Sequence, residues 1–233
     1  MNTISVFRRI VVLTGAGISQ AAGLPTYRGP GGLWTDEKLF ALSNANAFVT
    51  RREEVTNVWW GFRRKLAEIE PTVAHRALAA FADRSPGRLT LITQNVDGLH
   101  QRAGSRDVCE YHGSLARWHC EVCGTASEPP EPETPPSCCG ERMRPDVVAF
   151  GEPIPAQAER TARKALAGCD LFVAIGTSGN VHPAASFVRW AEAAGAQRVL
   201  LNLDVYEGAR GEFNECRAGR ADELVPAFFD SLS

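Results

Sequence analysis

Ile10-Val11-Val12-Leu13-Thr14-Gly15-Ala16-Gly17-Ile18-Ser19 decides the fold. A short apolar run that breaks into glycines reads as a strand buried on both faces, with a tight turn at its carboxyl end. Three further runs have the same form: Leu89 to Thr93, Leu171 to Ile175 and Val199 to Leu203. They lead into Gln94-Asn95-Val96-Asp97, Gly176-Thr177-Ser178-Gly179-Asn180 and Asn202-Leu203-Asp204. Between them lie helical stretches. Ala156 to Gly168 is rich in alanine, arginine and glutamate, and Pro183 to Gly195 opens on proline and closes on glycine, the usual asymmetry of helix ends. Strands alternating with helices predict an α/β fold, a doubly wound, Rossmann-like parallel sheet. Such sheets take ligands at the carboxyl ends of their strands, where all four polar segments fall.

Two stretches break the alternation. Residues 33–70 are helical in pattern and aromatic, and residues 117–144 are proline-rich with four cysteines. Both read as insertions that build a smaller lobe. The large lobe then comprises about 1–32, 71–116 and 145–233. Within the second insertion, Cys120-Glu121-Val122-Cys123 has zinc-knuckle spacing. The next cysteines are the adjacent pair Cys138-Cys139, where a second knuckle wants two intervening residues. A structural zinc on Cys120, Cys123, Cys138 and Cys139 is expected, with His119 as an alternative ligand and a metal-free set of thiols as the other option.

The chain has 233 residues, 44% hydrophobic, with net charge −2. That suits one sizeable domain with a normal core. A near-neutral surface supplies no electrostatic footprint for nucleic acid, so none is expected as a partner. The apolar run at Ile10 is far too short for a signal core or a membrane span. The expectation is a cytoplasmic protein, away from membranes, monomeric or weakly oligomeric. In a reducing compartment, a close cysteine pair more often holds metal than a disulfide.

Gly15-Ala16-Gly17 after a strand also reads as a phosphate loop, its glycines admitting a diphosphate to the backbone. The dinucleotide fingerprint wants a third glycine where Gln20 stands, so this motif alone is weak. Its neighbours carry more. Gly15 to Ser19 with Gly23-Leu24-Pro25-Thr26-Tyr27-Arg28-Gly29, then Thr93 to His100, then Tyr111-His112-Gly113-Ser114 resemble signatures of the sirtuin family. Arg144 to Glu152, Gly176-Thr177-Ser178 and Gly219-Arg220-Ala221 extend the likeness in the family's order.

The resemblance implies an NAD-dependent protein-lysine deacylase. The acyl group moves from lysine to ADP-ribose and nicotinamide is released. Its cofactors would be NAD and zinc, and its partners acylated-lysine proteins or peptides. Carried over residue by residue, NAD would lie on Gly15, Ala16, Gly17, Thr26, Tyr27, Arg28, Gln94, Asn95, Asp97, Gly176, Thr177, Ser178, Asn202 and Ala221. His112 would be the general base, with Asn95 and Asp97 orienting the reacting sugar. Histidine titrates near neutrality, which suits proton transfer without large tuning. Val147, Val148 and the segment Phe150-Gly151-Glu152 would border the peptide, which pairs there as an added strand. A subgroup that removes acidic acyl groups carries a tyrosine and an arginine, with two residues between them, on a helix. Trp60-Gly61-Phe62-Arg63 corresponds, which makes Trp60 and Arg63 the expected acyl-pocket residues. Protein ADP-ribosylation or NAD hydrolysis would use the same pocket. A non-enzymatic NAD sensor or nucleic-acid-binding zinc module is the remaining alternative.

Overall fold

A computed structural model of the chain describes residues 7–26, 32, 36–128 and 134–232. In chain order, β1 (Ile10–Thr14) leads into a 3-10 helix at Ala16–Ala22. Then come α1 (Glu37–Ala41), α2 (Ala45–Thr50), α3 (Arg52–Ala67), α4 (Val73–Arg84), β2 (Leu89–Thr93), α5 (Leu99–Arg102) and β3 (Cys109–Glu110). The small strands follow as β4 (Gly113–His119), β5 (Ala126–Ser127), β6 (Ser137–Cys138), β7 (Glu141–Arg142) and β8 (Arg144–Val147). The chain closes with α6 (Ala156–Leu166), β9 (Leu171–Ile175), α7 (Phe187–Ala193), β10 (Gln197–Asn202), α8 (Ala209–Glu212), β11 (Glu215–Ala218) and α9 (Ala221–Asp230).

Six strands form one sheet in the order β11-β10-β9-β1-β2-β3, and every pairing in it is parallel. Side chains alternate across a strand, and β1 shows the result. Val11 and Leu13 pack on the face shared with Leu166, Phe172 and Phe187. Ile10 and Val12 pack on the other, with Leu78, Phe81, Val225 and Phe229. All five residues of β1 are buried, as a central strand covered by helices on both sides requires. The four expected strands are β1, β2, β9 and β10. The two edge strands, β3 and β11, carry no apolar run to announce them; β11 reads Glu215-Cys216-Arg217-Ala218, the polar character edge positions tolerate.

A third core belongs to the smaller lobe. Leu42, Phe48, Val55, Trp59 and Trp60 pack there against Leu115, Trp118, Met143 and Val147. Its antiparallel sheet, ordered β5-β4-β8, begins at Gly113, somewhat before the insertion boundary expected at residue 117. No helix among the described residues is long and apolar enough to cross a membrane.

Candidate functional site

The loops after β1, β2, β9 and β10 converge on a cleft of about 490 Å³, within the size range of small-molecule sites. Gly15, Ala16, Gly17, Thr26, Gln94, Asn95, Gly176, Thr177, Ser178 and Asn202 line it, together with His112 and the segment 147–151. Tyr27 and Arg28 lie outside the described residues.

The glycines of the first loop have a reason beyond a ligand's approach. A Cβ on Gly15 would stand 2.7 Å from Gly176 O, and one on Gly17 2.6 Å from Gly176 Cα. The β1 and β9 loops therefore touch backbone to backbone. The N–H groups of Gly15 and Gly17 are also spent, donating to Ile175 O and Gly176 O at 2.9 Å each. This corrects the simple phosphate-loop reading: these two residues shape the cleft floor, and their amides are already committed within it.

His112 is fixed by a turn that only glycine follows comfortably. Gly113 has φ +81°, and a Cβ there would meet Asp146 O at 2.0 Å. His112 Nδ1 lies 3.1 Å from Gln94 O. A carbonyl only accepts, so Nδ1 carries the proton and Nε2 keeps its lone pair. Burial lowers the His112 pKa below the ordinary histidine value, and the Gln94 carbonyl partly opposes it. That shift favours the neutral imidazole.

Asn95 is held from behind. Its Nδ2 donates to Gly15 O (3.1 Å) and to Ser19 Oγ (3.3 Å), and its backbone N–H to Thr93 Oγ1 (3.1 Å). Its Oδ1 is buried with no partner among the described residues. A buried amide oxygen in that state costs about 1–3 kcal/mol unless a ligand or water donates to it, so it fits a polar ligand in the cleft. Gln94 Nε2 donates to Thr177 Oγ1 (3.2 Å), tying the β2 loop to the β9 loop. Asn202 Nδ2 donates to Thr177 O and Asp204 O, which leaves its Oδ1 as the free group.

Four expected site residues stand elsewhere. Asp97 does not line the cleft. Its Oδ2 accepts from Ser19 Oγ (2.8 Å) and its Oδ1 from Leu99 N (3.0 Å), so it acts through Ser19 on Asn95. Burial raises its pKa against those two hydrogen bonds. Ala221 opens α9 and packs against a sheet face. The cleft ends instead at Asp204 and Tyr206. Trp60 and Arg63 share one side of α3, and that side turns from the cleft. Trp60 packs edge-on against Trp118 at 5.1 Å, while Arg63 Nη1 donates to Leu115 O at 2.8 Å. Arg63 and Asp97 border a second cavity behind the Leu115 wall. Trp59, one residue earlier, faces the cleft. Glu152, from the segment expected to border the peptide, and Asn180, from the polar segment after β9, also line it, and His182 is there unforeseen. Asp204 belongs to the polar segment Asn202-Leu203-Asp204 after β10, whereas nothing in the sequence announced Trp59, Tyr206 or His182.

The four cysteines meet. Their sulfurs lie within 4.8 Å of one another, with Cys123 and Cys138 3.6 Å apart and Cys138 and Cys139 3.8 Å apart. A tetrahedral zinc thiolate, with Zn–S near 2.3 Å, sets sulfurs about 3.8 Å apart, so the set fits zinc. Adjacent cysteines converge because β6 and β7 form a hairpin, Cys138 facing Glu141. Cys139 and Gly140 make its turn, with φ +51° and +81°, as in a type I′ turn. Four protein ligands leave no open position for a reacting water, so this centre is structural. His119 stands apart, beside Asp146.

Residues 15–183 match the family model described as Sir2 family. A protein of Pyrobaculum aerophilum named NAD-dependent protein deacylase 2 is 45% identical over 230 residues, covering 97% of this chain and 91% of its own. A solved Sir2 homologue mutant in complex with 2'-O-acetyl ADP ribose superposes with TM-score 0.88 at 35% identity, over 99% of this chain and 94% of that one. A Sir2 structure with p53 peptide and NAD+ gives TM-score 0.81 at 28% identity, over 97% and 94%.

Proposed function

We infer function from membership: this chain belongs to the Sir2 family, and it is an NAD-dependent protein deacylase. The observation that carries the reading is the place of His112, on the cleft wall between the β1, β2, β9 and β10 loops and the segment 147–151. One side suits a dinucleotide, the other an extended peptide. We treat the chain as one catalytic domain of two lobes, divided as the insertions at 33–70 and 117–144 divide it. Seven free cysteines favour a reducing compartment, the cytoplasm.

When bound, NAD supplies the nicotinamide that leaves and the ribose that receives the acyl group. The chain's own residues bind, orient and move protons. Asn95 Oδ1 accepts from a polar group at the reacting end. Thr177 and Ser178 offer hydroxyls on the floor, and Asn202 Oδ1 receives a hydroxyl at the far end. His112 Nε2 takes a proton in the cleft while Nδ1 stays on Gln94 O. The 147–151 edge pairs with the backbone of an acyl-lysine peptide.

The acyl group we assign is compact and apolar, acetyl before succinyl or malonyl. Trp59 and Val96 line the cleft near His112, and the Arg63 guanidinium is turned onto Leu115 O. The experiment compares kcat/KM for acetyl- and succinyl-lysine versions of one peptide, in the native protein and in Arg63→Met. Acetyl preference unchanged by Arg63→Met supports the assignment. Succinyl preference lost in that variant rejects it.

A further inference from the structure

The 147–151 edge is held from three directions. Val148 N donates to His112 O and Phe150 N to Ser43 O, each at 2.9 Å. Ala149 N donates to Glu152 Oε2, also at 2.9 Å. The first two are backbone pairings. The third depends on a carboxylate, and that carboxylate depends on Arg144. Arg144 Nη2 donates to Glu152 Oε2 (2.5 Å) and to Val147 O (3.3 Å). The guanidinium lies over the Phe48 ring at 4.1 Å, and the side chain is only 14% exposed.

Arg144 has a second arm. Its Nη1 is 3.5 Å from Glu121 Oε1, and Glu121 stands between Cys120 and Cys123. Glu121 Oε2 in turn meets Arg52 Nη2 at 2.7 Å, and Arg52 Nη1 meets Glu141 Oε2 at 2.8 Å. Glu141 faces Cys138 across the hairpin. Both cysteine-bearing turns are thus tied by charge to the start of α3, and one of them, through Arg144, to the wall of the cleft. Isolated surface ion pairs contribute little. This one differs because its central member is largely buried, stacked on a ring, hydrogen-bonded through Nη2 to Glu152 and Val147, and ion-paired through Nη1 to Glu121.

We propose that Arg144 is a positioning residue for the substrate peptide, holding the 147–151 edge in its receiving form from the cysteine module. Among the described residues it is not part of the cleft lining, so it sets peptide affinity and leaves NAD affinity alone. The inference rests on the reading that this edge takes an acyl-lysine peptide.

The test measures binding of one synthetic acetyl-lysine peptide by calorimetry, KM for NAD, and zinc content. The proteins are native, Arg144→Met and Glu121→Gln. Arg144→Met weakens peptide binding about tenfold, with KM for NAD within about twofold of native, the tolerance expected of uncoupled sites, and zinc retained. Glu121→Gln, on the outer arm, gives a smaller loss of the same sign and decides the matter if Arg144→Met fails to fold. Native peptide affinity in both variants, or equal loss for peptide and NAD, overturns the role of Arg144. A native protein that binds no peptide overturns the functional reading, and this inference with it.

Discussion

His112 is the general base of the proposed reaction. Its Nδ1 against Gln94 O fixes the tautomer, and burial favours the neutral ring. A base whose pKa lies below the ordinary value stays unprotonated further into acid. The acid limb of kcat/KM against pH therefore has its midpoint below about 6.5, the unperturbed histidine value. Substituting His112→Ala removes that limb and lowers kcat by about two to four orders of magnitude. A limb midpoint above 7, or a variant with a tenth of native activity, contradicts the assignment. His112 was legible because tyrosine before it and glycine after it set it in a motif. The sequence placed Asp97 beside the ligand, and packing placed it behind Ser19. A motif names the residues of a neighbourhood. Which of them faces the ligand is settled by hydrogen bonds between segments far apart in the chain.

Elements decide the two largest departures from expectation. On α3, neighbouring residues point about 100° apart: Trp59 and Trp60 both join the small-lobe core, and of the two Trp59 lines the cleft. Trp60 packs against Trp118 in the small-lobe core, and the long Arg63 side chain reaches Leu115 O. At the cysteine pair, a hairpin turn performs what spacing did not announce. Substituting Cys138→Ser should remove zinc from one equivalent per chain and lower the melting temperature by on the order of 10 °C. Metal analysis that finds full zinc in the variant counts against Cys138.

The start of α4 makes a further prediction. Thr72 caps the helix and Thr72 N donates to His75 Nδ1. His75 is fully buried, and burial pushes its pKa down to about 4. The unfolded chain therefore binds a proton near pH 6.5 that the folded chain refuses until about pH 4, so stability falls as pH falls through that window. The loss from His75 is on the order of 3 kcal/mol. Buried His100 adds the same sign, and Asp97, its pKa raised by burial, opposes it. Urea unfolding at pH 7 and pH 5 checks this: His75→Gln should flatten the difference, and an unchanged slope would refute it.

At the scale of the molecule, a parallel sheet positions four loops and a smaller lobe closes the cleft they form. The central strands were readable because burial on both faces demands unbroken apolar runs. The edge strands β3 and β11 were not, since an edge needs no such run. The lobes themselves were legible as breaks in the strand–helix rhythm, although the small sheet reaches back to Gly113. On the proposed reading the acyl group passes to the ribose of NAD, which makes the deacylation strictly dependent on NAD. The most direct test incubates the protein with an acetyl-lysine peptide, with and without NAD, and quantifies products by mass spectrometry. The account predicts one nicotinamide and one acetyl-ADP-ribose for each lysine uncovered, and no reaction without NAD. Deacetylation at full rate without NAD, or free acetate in place of acetyl-ADP-ribose, would contradict it.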